Sequence, residues 1–136
     1  MAKMNQRIKE IFIKQETIVL ATATKKGLPN VVPVNAKKIL DDETILISDQ
    51  FFNKTLKNIK ENPQVAITIW HKLEGYQLKG SVTIETSGPR FQETAQWIEG
   101  IGKSLNLPLK SKGALIVKLT EIYNVSPGPD AGIKIA

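Results

Sequence analysis

Between Tyr76 and Glu85 the chain alternates residue by residue. Tyr76, Leu78, Val82 and Ile84 fall on one side of an extended chain, and Gln77, Lys79, Ser81, Thr83 and Glu85 on the other. Successive side chains of a strand point to opposite faces, so this is a strand with one face for a core. The other face is left for water, a partner or a ligand.

The remaining segments supply neighbours for that strand. Thr17–Thr24 (TIVLATAT) is rich in β-branched residues and reads as a first strand. Lys25-Lys26-Gly27 is a turn, and Asn30–Ile39 is a second strand that completes a hairpin. Asp41-Asp42 turns into a third strand at Thr44–Ser48. Val65–Trp70 is the fourth, Tyr76–Glu85 the fifth and Ala114–Val125 the sixth. Helical spacing appears in three places. Met4, Ile8, Ile11 and Phe12 share one face near the start. Leu56 and Ile59 mark a short helix over Thr55–Glu61, stopped by Asn62-Pro63. Phe91, Ala95, Ile98, Ile101 and Leu105 mark a longer one, opened by Ser87-Gly88-Pro89. The tail SPGPDAGIKIA is expected to be extended. Most strands follow one another without a crossover helix, which predicts a mainly β (α+β) fold, a six-stranded antiparallel sheet closed into a small barrel with helices at its ends.

A length of 136 residues is one domain's worth of chain, so residues 1–136 are read as a single domain. The chain has no cysteine, which excludes disulfides, thiolate metal sites and a cysteine nucleophile. A single histidine, His71, sits in a turn region with no second histidine to share a metal, and reads as solvent-exposed. Asp41-Asp42-Glu43 reads as a solvated turn rather than a metal site. No apolar run approaches the roughly 18 residues that span a membrane, and the basic N-terminus has no apolar core of a secretory signal; a cytoplasmic protein is expected. The net charge is +6, carried by scattered lysines with only Arg7 and Arg90 as arginines. Such a surface is more often solvated than nucleic-acid binding.

The segment ILISDQFFNKTLKNIKENP carries the chemistry. A strand ends, a polar and aromatic loop turns, and a helix begins at Asn53, Lys54 and Thr55. Helix N-termini present unpaired N–H groups and a partial positive charge; a lysine and a hydroxyl added there make a phosphate site. Capping by Asn53 or Thr55, with Lys54 solvated, accounts for the same residues.

The whole chain, from about Met4 to Ile135, resembles the FMN-binding split barrel family related to pyridoxamine 5′-phosphate oxidase. The resemblance rests on LATATKKGLPNVVPV, on ILISDQFFNKTLKNIKENPQVAITIW and on GYQLKGSVTIETSGP, in that order and spacing. It implies a split β-barrel, a homodimer, and FMN in a cleft at the subunit interface. It implies that Asn53, Lys54 and Thr55 hold the phosphate, and that Pro33, Val34 and Asn35 lie along the ring system. Pro33 has no N–H, so a backbone donor to the ring would come from Val34 or Asn35, and a proline there also argues for a sheet edge or bulge. Ser48, Asp49, Gln50 and Phe51 would line the ribityl chain and the ring edge. Of Phe51 and Phe52, one would be core and the other would cover the flavin or the dimer seam. Gln77 and Lys79 would reach the partner's flavin, or else lie on a solvated strand face. Trp97 would pack at a subunit interface or be half-buried.

Family members often place arginine beside lysine or serine where this chain has Asn-Lys-Thr, so it has one charge fewer. Arginines for a pyridoxal phosphate substrate are lacking, and the tail has none. Oxidation of pyridoxamine phosphate itself is therefore not expected. Three readings follow: an FMN-dependent oxidoreductase with a small-molecule electron donor or acceptor; a non-catalytic FMN-binding protein that transfers electrons or stores flavin; and a split barrel given over to a deazaflavin, a haem or nucleic acid.

Overall fold

The computed structural model describes all 136 residues. The elements run α1 (Gln6–Lys14), β1 (Ile18–Ala23), β2 (Pro29–Val34), β3 (Lys37–Asp41), β4 (Thr44–Asp49), α2 (Lys54–Glu61), β5 (Gln64–His71), β6 (Glu74–Glu85), α3 (Pro89–Leu105) and β7 (Gly113–Asn124). All strands belong to one antiparallel sheet in the order β2-β1-β5-β6-β7-β4-β3.

The sheet has seven strands where six are predicted from sequence. The stretch Asn30–Ile39 does not run as one strand. Its first half pairs with β1, from Asn30 opposite Thr22 to Val34 opposite Ile18. Its second half pairs with β4, from Lys37 opposite Ile47. β2 and β3 are thus the two opposite edges of the sheet, and only Asn35 and Ala36 join them. Three Cα–Cα steps of about 3.8 Å bridge Val34 to Lys37, so the edges lie within roughly 11 Å at that point. The sheet must curl into a half-barrel to satisfy this. Asn and Ala are poor strand formers, which suits them to the break. Pro33 sits on an edge strand, where a missing N–H costs no ladder bond to a second neighbour.

The concave face holds the main core. Ile18, Leu20, Ile45, Ile47, Ile67, Leu78, Leu115 and Val117 line it, and α1 seals it with Ile8, Ile11 and Phe12. Asn5 caps α1, its side-chain oxygen accepting from the Ile8 N–H at 2.9 Å. Met4 precedes this helix rather than belonging to it, yet is buried.

The convex face carries a second, small core of Leu46, Ala114 and Ile116 beneath α3. This is why every residue of β4 is buried: odd positions face the barrel and even positions face α3. Gly88 caps α3 with φ of 89°, a conformation open to glycine, and Pro89 opens the first turn. The fully buried residues of α3 are Thr94, Ile98 and Gly102, so the helix is rotated from the predicted apolar stripe. The Thr94 hydroxyl donates to the Arg90 carbonyl at 2.8 Å, and Gly102 lets the following loop approach. Ile101 and Leu105 are swung to the edge of the sheet.

The tail turns back through Gly128 and Gly132 instead of extending freely. Ile135 and Ala136 bond to Ile122, continuing the sheet beyond the start of β4. No helix is long and apolar enough to cross a membrane.

Candidate functional site

A cavity of about 570 Å³ lies where the two sheet edges meet. Its walls come from three parts of the chain: the end of β2 with the Asn35–Ala36 link, the end of β4 with its loop, and the C-terminal half of α3. Pro33, Val34, Asn35, Ser48, Gln50 and Phe51 all line it, six of the predicted site residues brought together from two segments. The volume is within the range of small-molecule sites.

The hydrogen bonds of these residues state what each has left to offer. The Thr17 hydroxyl donates to Asn35 Oδ1 at 2.7 Å, so the Asn35 amide nitrogen remains a free donor. Ser111 donates its proton to the Gly113 carbonyl at 3.2 Å. In the 2.7 Å contact between the Ser48 and Ser111 hydroxyls, Ser48 is then the donor, which leaves its oxygen as an acceptor. Gln50 Oε1 is buried and has no hydrogen-bond partner. An unpaired buried carbonyl is costly, and this oxygen is closed off from the cavity that the rest of the side chain lines, so a ligand N–H or O–H would satisfy it only once the side chain turns. Phe51 is 78% exposed, whereas Phe52 packs against the main core.

Asp49 has a different role. It is buried, and its Oδ1 accepts from the Phe52 N–H at 2.9 Å while Lys112 Nζ lies 3.7 Å away. It shapes the loop and does not line the cavity.

One residue beyond Phe52, Asn53 is the N-cap of α2, and its side chain makes no capping bond. The first-turn N–H groups of α2 therefore have no side-chain acceptor. Lys54 is exposed and lines a second, polar cavity of about 330 Å³ with Lys57, Asn30, Asn58, Thr24 and Glu61. Thr55 is only 2% exposed; its hydroxyl accepts from Asn30 Nδ2 at 3.0 Å. Asn30 and Asn58 both also donate to Thr22 Oγ1, at 3.2 and 3.1 Å. Thr55 thus belongs to a buried network that seats α2 on β1 and β2, while Lys54 and Lys57 present their charge.

Gln77 and Lys79 are half-buried on the central strand β6 and line neither cavity of this chain. The Lys79 ammonium lies 5.4 Å from the centre of the Tyr123 ring. Trp97 is half-buried against Leu46, Ala114 and Ile116, with the Lys38 ammonium 4.1 Å from its ring centre. His71 is exposed, beside Trp70 and Arg7. Nearby, Arg7 and Tyr76 both bond the Glu74 carboxylate, Arg7 at 2.7 Å, and hold it below the usual carboxylate range, Arg7 foremost.

The cavity also has walls that sequence reasoning missed: Ile98, Ile101 and Leu105 of α3, and Leu109 beyond it. The signal was an apolar helical stripe wider than one sheet contact needs. Glu16 is the only charged residue of the lining.

A family model described as pyridoxamine 5′-phosphate oxidase matches residues 4–126. The uncharacterized protein MJ0282 of Methanocaldococcus jannaschii is 46% identical over 127 residues, covering 91% of this chain and 83% of that protein. Among solved structures, HupZ of Group A Streptococcus superposes with a TM-score of 0.79 at 26% identity, over 95% of this chain and 99% of the other. An FMN-binding protein of Syntrophomonas wolfei gives 0.71 at 19% identity, over 87% and 82%. An F420 reductase gives 0.65 at 18% identity, over 88% and 98%. At such identities the last two show a shared fold.

Proposed function

Because this chain belongs to the pyridoxamine 5′-phosphate oxidase family, we propose that it is an FMN-binding flavoprotein acting as an FMN-dependent oxidoreductase. One observation carries the reading. The β2 end and the β4 loop, far apart in sequence, wall one cavity, and the β4 loop leads within two residues into the uncapped start of α2. An aromatic ring system suits the first and a phosphate suits the second. The fit to FMN is supported by the FMN-binding protein that shares the fold.

Bound FMN would supply electron and hydride transfer, which no side chain here provides. The chain's own part is binding and orientation. Asn35 offers a donor and Ser48 an acceptor, joined by Gln50 Oε1 once that side chain turns toward the cavity, so a ring edge bearing both kinds of group is held in one sense. Pro33 donates nothing, which leaves the backbone at Val34 and Asn35 to meet the ring. Lys54, Lys57 and the first N–H groups of α2 meet the phosphate; Asn53 contributes its backbone, and Thr55 holds the helix in place.

The active form is a homodimer with the cofactor at the subunit interface. Exposed Leu28 and Val31 on and beside edge strand β2, and exposed Phe51 at the cavity, are apolar surface that a second copy would cover. Gln77 and Lys79 would then face the partner's flavin from β6.

The test is a visible spectrum of the purified protein, with FMN titration, beside light scattering. Saturable flavin binding by a dimer supports the reading; absence of FMN binding, or tighter binding of a deazaflavin, overturns the cofactor. Oxidation of added NAD(P)H by the loaded protein separates an oxidoreductase from a protein that only carries or stores flavin.

A further inference from the structure

Lys112, in the segment between α3 and β7, grips the loop after β4 at three points. Its backbone N–H donates to the Asp49 carbonyl at 2.6 Å. Its ammonium donates to the Phe52 carbonyl at 2.9 Å and lies 3.7 Å from the buried Asp49 carboxylate. That carboxylate accepts in turn from the Phe52 N–H at 2.9 Å. Both peptides of Phe52 are thus fixed, one by Asp49 and the next by Lys112. A buried carboxylate needs a cation beside it, so Asp49 also keeps the ammonium in place.

The bond to the Phe52 carbonyl sets the peptide that leads into α2. A trans peptide is planar, with its C=O and N–H pointing in opposite directions. With the Phe52 carbonyl turned to Lys112, the Asn53 N–H points away from it and has no acceptor within the chain. Asn53 is exposed and is the N-cap of α2, so this free N–H lies next to the unpaired N–H groups of the first turn. Turned over, the same peptide would offer a carbonyl oxygen in place of that donor. An oxygen repels a phosphate where an N–H binds it.

We infer that Lys112 is a positioning residue for the cofactor phosphate: its ammonium holds the Phe52 carbonyl back and so keeps the Asn53 N–H turned out for the anion at the start of α2. This role rests on the flavin reading and adds to it a residue from a third segment of the chain, outside every motif that points to the site. The chemistry of the side chain gives the hold its direction. An ammonium has three donors and no acceptor, so it can hold only the carbonyl side of a peptide. A guanidinium shares that property. Methionine, of similar length, has neither the charge nor the donors.

The experiment compares the parent, Lys112→Met and Lys112→Arg, each as the full chain. FMN and riboflavin are titrated by fluorescence, and the Asn53 amide is followed by nuclear magnetic resonance on isotope-labelled protein. In the parent, FMN should move the Asn53 amide proton downfield as its bond to the phosphate forms. Lys112→Met should weaken FMN roughly five- to tenfold, about the worth of one hydrogen bond to a charged group, and shrink that movement even at saturation. Riboflavin should bind all three proteins alike, and Lys112→Arg should restore both FMN readouts. The unfolding temperature should change little, because the ammonium is half exposed. Unchanged FMN affinity in Lys112→Met overturns the role. So does an equal loss of FMN and riboflavin with a lowered unfolding temperature, which makes Lys112 a structural residue only. So does weaker FMN binding whose saturated Asn53 amide still matches the parent, which makes Lys112 a direct phosphate contact. An Asn53 amide that bound FMN leaves unmoved in the parent overturns it as well. Failure of FMN to bind at all is a separate result that overturns the flavin reading. Inorganic phosphate, followed at the same amide in all three proteins, then judges the positioning by itself.

Discussion

Asn30 on edge strand β2 and Thr55 in the first turn of α2 share a partly buried hydrogen bond of 3.0 Å where the helix begins. A free edge strand is thereby tied to the element that carries the phosphate-binding charge. Thr55→Val keeps the shape and removes the oxygen. Asn30 Nδ2 then loses one of two acceptors, and a cost of about 1–2 kcal/mol is expected, measured by denaturant unfolding. FMN affinity should fall less than it does on removing Lys54, since the Thr55 hydroxyl is turned inward.

Lys54 is the converse case. It is exposed and its charge is free for an anion. Lys54→Ala should weaken FMN roughly tenfold through loss of a charge-assisted contact of about 1.5 kcal/mol, and leave unfolding nearly unchanged. Riboflavin, which lacks the phosphate, should bind the variant as well as it binds the parent. Fluorescence titration of both ligands checks this, and an equal loss for riboflavin would remove Lys54 from the phosphate seat.

Gln50 sets stability against binding. Its buried side-chain carbonyl has no partner. Gln50→Met fills the same space without the unpaired oxygen. The flavin-free protein should gain up to about 1 kcal/mol, while FMN affinity drops. A loss of stability in the flavin-free variant would show that the oxygen already has a partner, water included.

Gly102 fixes the α3 wall. A Cβ there would lie 2.6 Å from the Leu107 carbonyl oxygen and 3.1 Å from Leu109 Cβ. Gly102→Ala must push the 106–109 loop away from the helix, at a cost of about 1–3 kcal/mol. Gly100→Ala, where a Cβ meets nothing, should by contrast be neutral or slightly stabilising. Thermal unfolding of the pair makes the comparison.

The Arg7–Glu74 pair links α1 to β6 and gives an acid dependence with a defined sign. Arg7 first, and Tyr76 second, hold the Glu74 carboxylate below its ordinary value of 4.5. A depressed pKa contributes stability that is present above the unfolded value and lost as pH falls through the folded one. Glu74→Gln should therefore flatten the decline of stability below about pH 4.5 and lower stability slightly at pH 7. The pair is partly exposed, so high salt should shrink the difference.

The division between sequence and structure can be read at particular residues. Alternation at Tyr76–Glu85 and β-branched runs at Thr17–Thr24 and Thr44–Ser48 determined strands, because side-chain direction in an extended chain is a local property. Likewise Pro63 ended α2 and Pro89 opened α3 by backbone geometry alone. Residues Pro33 to Asn35, Ser48, Gln50 and Phe51 could be set beside one cavity through the resemblance of their motifs, whereas Asp49, expected with them, is turned inward to the Phe52 N–H. Tertiary structure decided what no local pattern encodes. Asn35 and Ala36 look like the middle of a strand, and only sheet closure makes them the join between two edges, since each half finds its hydrogen-bond partner on a different strand. Thr55 and Lys54 are neighbours in sequence, and only the packing of α2 on β1 and β2 turns one hydroxyl inward and leaves the other side chain in water. The rotation of α3, set by the close approach at Gly102, left Ile101 and Leu105 facing the cavity: the helical period fixes which residues share a stripe, but the surface the helix lands on fixes which part of the stripe stays open.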